Sequence, residues 1–216
     1  MGLSQLLEGP PDFLDKEMPV VTSSSINFYS ESTIKREFDI VGKIKNGDKE
    51  YWTIINKDRS FAVIGELGTR KQDGAIGLYI LGQLDFKDKP DFSSKRWVDA
   101  PEHVLQVDSV VVYVKSKFKG IGYDFYKAIV KYGFVLVSDH TQYRGGKALW
   151  QKIVKQALAD GLEICVVADG EPILGDDGKP LAYDGKNIPD DVIWNAPTND
   201  QSKSKYFTLL VLRNKK

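Results

Sequence analysis

The run from Val104 to Val114 constrains this chain most, because only Gln106, Asp108 and Ser109 interrupt its valines, leucine and tyrosine. β-Branched residues in such continuity predict a strand buried on both faces, and a strand covered on two sides needs sheet neighbours and covering helices. The flanking segments supply both. Upstream, four β-rich stretches, Phe38 to Ile44, Tyr51 to Ile55, Phe61 to Leu67 and Ile76 to Phe86, are punctuated by Asn46-Gly47 and Asp58, residues that suit hairpin turns. They predict an antiparallel meander.

Downstream the period changes. Lys115 to Gly122 reads as a basic, glycine-containing turn. Tyr123 to Tyr132 then reads as a helix, with Gly133 at its C-cap. Phe134 to Ser138 is a short apolar strand, Arg144 to Leu158 a second amphipathic helix closed by Gly161, and Glu163 to Ala168 another strand. Residues 169–206 form an extended loop, rich up to Asn199 in Gly, Pro, Asp and Asn, before a final strand from Phe207 to Arg213. Lys87 to Pro101 is a loop before the central strand. The fold class expected is α+β, with a mixed, mostly antiparallel central sheet and flanking helices. Residues 1–30, with Pro10, Pro11, Pro19 and a short apolar cluster at Leu3, Leu6 and Leu7, read as an arm carrying one short helix, and residues 31–216 as a single domain.

Composition narrows the function classes. With 216 residues, 42% hydrophobic and 28% charged, the chain suits one globular domain and lies far from the disordered regime. Its 30 basic and 30 acidic residues cancel, so no global field draws it to nucleic acid or to an anionic membrane. Cys165 has no disulfide partner, and with only His103 and His140 beside it there is no metal-site spacing. No basic, apolar leader opens the sequence and no window approaches a membrane span. The expectation is a cytoplasmic protein without metal.

The chemistry-bearing stretch is Lys117-Phe118-Lys119-Gly120-Ile121-Gly122, between the buried strand and the helix. Two glycines one residue apart allow a tight turn whose amides converge on one point, and the helix adds unpaired N–H groups and its positive end. Such a turn suits a pyrophosphate. A kinase-type phosphate loop is excluded by the glycine spacing and by the absence of a following Lys-Ser or Lys-Thr. A dinucleotide fingerprint would need glycine where Phe125 stands.

The stretch resembles the pyrophosphate motif of the GCN5-related N-acetyltransferase superfamily, Gln/Arg-x-x-Gly-x-Gly/Ala, with Lys117 at the Gln/Arg position, Gly120 and Gly122 matching, and Tyr123 opening the helix. The order strand, motif, helix, strand, helix, strand over residues 100–168 is also similar to that superfamily's central half. The resemblance implies an acyl-CoA-dependent N-acyltransferase that binds acetyl-CoA or another acyl-CoA and passes the acyl group to an amine, on a small molecule or a protein, by direct attack. It further implies a pantetheine cleft between Val110–Val114 and Phe134–Ser138, with backbone at Val112 and Val114, and a diphosphate held around Lys117, Phe118, Lys119, Gly120, Ile121, Gly122 and Tyr123.

For catalysis, Tyr143 at the start of the second helix takes the place of the tyrosine acid common in that superfamily. His140 at the end of the second cleft strand and Asp108 within the apolar strand are base candidates. Ser138, Asp139 and His140 are consecutive, so they do not converge as a triad. Cys165 belongs to an apolar strand pattern and reads as a core residue. An alternative stays open: an acyltransferase-like fold serving as a structural or interaction component of a larger assembly, with contacts through 1–30 and 169–199.

Overall fold

The computed structural model describes residues 28–89, 103–113, 115–138, 144–168, 170–189, 192–193 and 208–215, with 115–120 and 144–145 by backbone alone. Two compact units divide the chain: residues 18–90 with 105–136, and residues 1–17, 91–104 and 137–216. Among the described residues, no helix is long and apolar enough to cross a membrane.

The first unit is built on the meander. Strands β2 (Phe38–Asn46), β3 (Lys49–Asn56), β4 (Phe61–Thr69) and β5 (Ile76–Phe86) pair antiparallel in sequence order. The hairpin expected at Asn46-Gly47 forms with Asn46 opposite Lys49 and Gly47 at φ 61°, the left-handed backbone that such a two-residue turn demands. At the next turn the Asn56 side chain takes over: its amide nitrogen donates to Ser60 Oγ at 2.7 Å and to Asp58, and its Oδ1 accepts from the Phe61 amide at 2.9 Å. Ile54, Ile55, Ala62, Val63 and Ile64 are fully buried, as strands covered on both faces require.

Two elements share the remaining edge of β5. The short strand β1 (Phe28–Ser30) pairs with Tyr79, Leu78 and Gly77, while β6 (Val104–Val112) pairs with Gly82 to Phe86. The end of β6 therefore meets the start of β1 along β5, and the Tyr113 amide donates to Leu81 O at 3.0 Å there. From β1 the chain enters helix α1 (Glu31–Glu37), capped by Ser30, and its Ile34 packs with Phe38, Ile54, Val63, Leu78 and Ile80 on one sheet face.

Helix α2 (Lys115–Lys131) packs against β2, β3 and β5. Its buried positions Ile121, Tyr123, Phe125, Tyr126, Ile129 and Val130 make a continuous apolar stripe. The helix closes where expected, with Gly133 at φ 121° and its amide on Val130 O at 3.0 Å. Strand β7 (Val135–Val137) follows and neighbours β6 in the sheet. A helix joining neighbouring strands is the crossover of a parallel pair, so the sheet is mixed and mostly antiparallel and the α+β expectation holds.

In the second unit, helix α3 (Arg144–Ala157) buries Trp150, Ile153, Val154 and Ala157 and runs into a short 3-10 turn closed by Gly161 at φ 68°. Strand β8 (Leu162–Ala168) pairs on one side with the two-residue β9 (Glu171–Pro172) and on the other with the final strand β10 (Thr208–Asn214), both antiparallel. Arg213 and Glu163, opposite each other in that register, are largely buried and joined at 2.7 Å. Of the expected loop at 169–206, residues 173–183 fold back along β8, with the Ile173 amide on Val166 O and the Tyr183 amide on Ile164 O.

Two expectations are corrected. Double-sided burial holds for Val104 to Val107, but Asp108 is exposed and Ser109 to Val111 are half-buried, because a β-bulge between Asp85/Phe86 and Ser109/Val107 leaves Asp108 without a cross-strand partner. The turn expected at Lys115 to Gly122 is helical throughout, which is taken up below.

Seating of α2 on β2 depends on a missing side chain, since a Cβ on Gly42 would stand 2.5 Å from Ala128 Cβ. Gly42→Val is therefore expected to cost about 1–3 kcal/mol through overpacking, read as a lower urea midpoint at unchanged slope. Ala128→Gly in the same chain should recover part of the loss. An unchanged midpoint in Gly42→Val would mean that the helix does not rest on β2 at this point.

Candidate functional site

The sequence motif lies within α2. Lys117, Phe118, Lys119, Gly120, Ile121, Gly122 and Tyr123 all fall in the helix, where the amides from Lys119 onward take carbonyls four residues back. The expected nest of glycine amides is thus replaced by the first turn of the helix, whose amides at 115–117 have no acceptor within it. Ile121 and Tyr123 are buried, and Lys127 Nζ stands 5.8 Å from the Tyr123 ring centroid.

The energetic reason is a comparison of magnitudes. Two glycines in a helix cost roughly 1 kcal/mol each, whereas each large apolar side chain that this helical register buries contributes about 1.5–3 kcal/mol. Ile121 is the large side chain that extension of the helix back from Tyr123 adds to this stripe, and its burial is of the same size as the cost of the two glycines. The sequence reading placed the helix start at Tyr123 because it counted the glycines and not the stripe that begins at Ile121.

Of the other expected site residues, Val112 is buried opposite Gly82, and Asp108 is exposed on the bulge. Val114, His140 and Tyr143 lie outside the described residues, as do 1–27, 169, 190–191 and 194–199 of the expected partner-binding segments. Ser138, which ends the second expected cleft strand, is buried: its amide donates to Leu210 O at 2.8 Å and its Oγ accepts from the Leu210 amide at 3.0 Å. It anchors the final strand.

A polar group that the sequence reading passed over lies on β5 and β6. Register places Phe61, Asp85 and Ser109 side by side across β4, β5 and β6, with Val63, Gln83 and Val111 one step along. Strand alternation puts all six on the sheet face that carries α1. Asp85 Oδ1 accepts from Gln83 Nε2 at 2.6 Å, and Asp85 Oδ2 accepts from Ser109 Oγ at 2.6 Å. Tyr113 OH reaches Gln83 Oε1 at 3.5 Å, the outer limit of a hydrogen bond.

Tyr29 stands beside this group. Burial, reinforced by neighbouring Tyr113 and Glu37, raises its phenol above the ordinary tyrosine range, so it stays protonated. The cluster is therefore a half-buried carboxylate held by neutral donors. A carboxylate so placed can hold a cation or accept a proton. Two polar residues two apart on one face of an otherwise apolar strand, Gln83 and Asp85, are the signal that would have found it.

No group of three or more His, Cys, Asp or Glu among the described residues is placed to hold a metal ion. No family model matches the sequence, and no curated protein and no solved structure matches it.

Cys165 is fully buried in β8, and desolvation pushes its thiol up to about 11. At pH 8 about one thiol in a thousand is then the reactive thiolate. A disulfide reagent added at pH 8 should leave the native protein unmodified and label one equivalent once urea unfolds it. Rapid labelling of the folded chain would contradict this burial.

Proposed function

We propose that the chain is an acyl-CoA-dependent N-acyltransferase, which passes an acetyl or other acyl group from the thioester to an amine by direct attack. One observation carries the reading: the order β6, α2, β7, α3, β8 follows the expected run of strand, helix, strand, helix, strand, with α2 starting at the end of β6. The first-turn amides of α2 and its positive dipole end open there. The diphosphate then meets amides 115–117, with the glycines Gly120 and Gly122 serving the helix behind it.

The short β7 supports the same reading. Three residues pair with only part of the nine-residue β6, which leaves strand backbone available to a pantetheine arm. An arm lying along β6 from the α2 end passes Val112 and runs towards Ser109, about 10 Å back along the strand. Tyr143 and His140 keep their proposed roles as acid and base.

The second reading, a non-catalytic component of an assembly, is favoured by one observation: the amides of Lys119 to Tyr123 already have acceptors in the helix. Acetyl-CoA separates the two. If the site is real, millimolar acetyl-CoA should raise the melting temperature, since ligand at 100 times its Kd stabilises the fold by about 2.7 kcal/mol. Ser116→Pro, which removes one first-turn amide at a position that tolerates proline, should weaken binding about tenfold or more. Gly120→Ala should leave it within about twofold, because that amide is paired within the helix. A folded protein indifferent to acetyl-CoA would leave the assembly reading in possession.

A further inference from the structure

We infer that the Asp85 cluster is a binding site for an alkylammonium group. The inference extends the acyltransferase reading, on which it rests for its biological use, by giving the acceptor amine a place; the binding itself is testable without acyl-CoA.

The charge balance points to a cation. Asp85 is half-buried, and the groups bonded to it are Gln83 and Ser109, both neutral, with no lysine or arginine paired to it among the described residues. A carboxylate partly withdrawn from water and left without a counter-charge favours a cationic ligand. Of roughly four lone-pair positions on a carboxylate, the two bonds occupy two and leave about two open.

Geometry selects the kind of cation. Each oxygen here already takes a 2.6 Å bond from a neighbour, so a guanidinium fork would have to fit the one lone pair remaining on each of them at once. An ammonium is a point charge and needs a single free lone pair. Phe61 stands at the cross-strand position next to Asp85, and Phe61, Tyr29 and Tyr113 all pack against the same apolar cluster. Aromatic rings beside a carboxylate favour an ammonium with an attached carbon chain, by cation–π attraction and by burial of the chain. In acyl transfer the same carboxylate would hold the acceptor as its ammonium until the base takes the first proton; the nitrogen then attacks the thioester carbon, the C–S bond breaks, and the thiolate leaves with the second proton from that nitrogen.

The test is a nitrogen-15 NMR titration of the full chain with n-butylammonium chloride, with 1-butanol and sodium butyrate at matched ionic strength as controls. The expected result is a saturable shift of the Gln83 side-chain NH2 and of the Asp85 and Ser109 backbone amides with butylammonium alone. Asp85→Asn, which keeps the shape and removes the charge, should weaken that response at least about tenfold. Equal responses to the three probes, or unchanged binding in a folded Asp85→Asn variant, would overturn the site. Should that variant fail to fold, the contrast between probes on the native chain still decides. Butylammonium binding without an acetyl-CoA response keeps this site and removes the acyltransferase reading, and the reverse outcome does the opposite.

Discussion

The apolar face of α2 lying on β2, β3 and β5 is the contact on which the rest of the first unit depends. Ile121, Tyr123, Phe125, Tyr126, Ile129 and Val130 are all buried along this helix, and Gly42 gives Ala128 room to approach the sheet. Burial of Ile121 at the head of that stripe offsets the local preference of Gly120 and Gly122 for a turn. It also decides which amides are open at the end of β6. Packing at one end of the helix thereby sets the chemistry available at the other.

Strand β5 organises the opposite face. One of its edges takes β4 along nearly its whole length, while β1 and β6 divide the other edge between them. That division brings Tyr29 from near the start of the described chain to the neighbourhood of Tyr113, more than eighty residues later in sequence. The bulge on β6 turns Asp108 out to solvent and leaves Ser109 facing Asp85. One extra residue in a ladder exchanges which of two adjacent polar side chains belongs to the polar cluster.

The meander was legible because its signals are local and agree with one another. Alternating β-branched residues, an Asn-Gly turn and a change of period each act within a few residues, and β2 to β5 lie within about two residues of the stretches read for them. The Gly133 and Gly161 helix closures were legible for the same reason, since a left-handed residue after a helix needs no tertiary partner. The start of α2 was not, because glycine spacing is a local signal and the six-residue stripe that defeats it matters only against a sheet. The Asp85 cluster was hidden as well: Gln83 and Asp85 announce themselves only when Ser109 and Tyr113 are known to lie across from them.

By itself, then, the sequence determined an α+β chain, the order of its strands and helices apart from β1, α1 and β9, its hairpin turns and a cysteine destined for the core. Those follow from periodicity and backbone preference, which are properties of short segments. Tertiary structure alone decided where α2 begins, on which side of the sheet Asp108 and Ser109 fall, and that Asp85 stands among neutral donors. Each of these turns on register and on burial between distant segments, and neither quantity exists until the strands have paired.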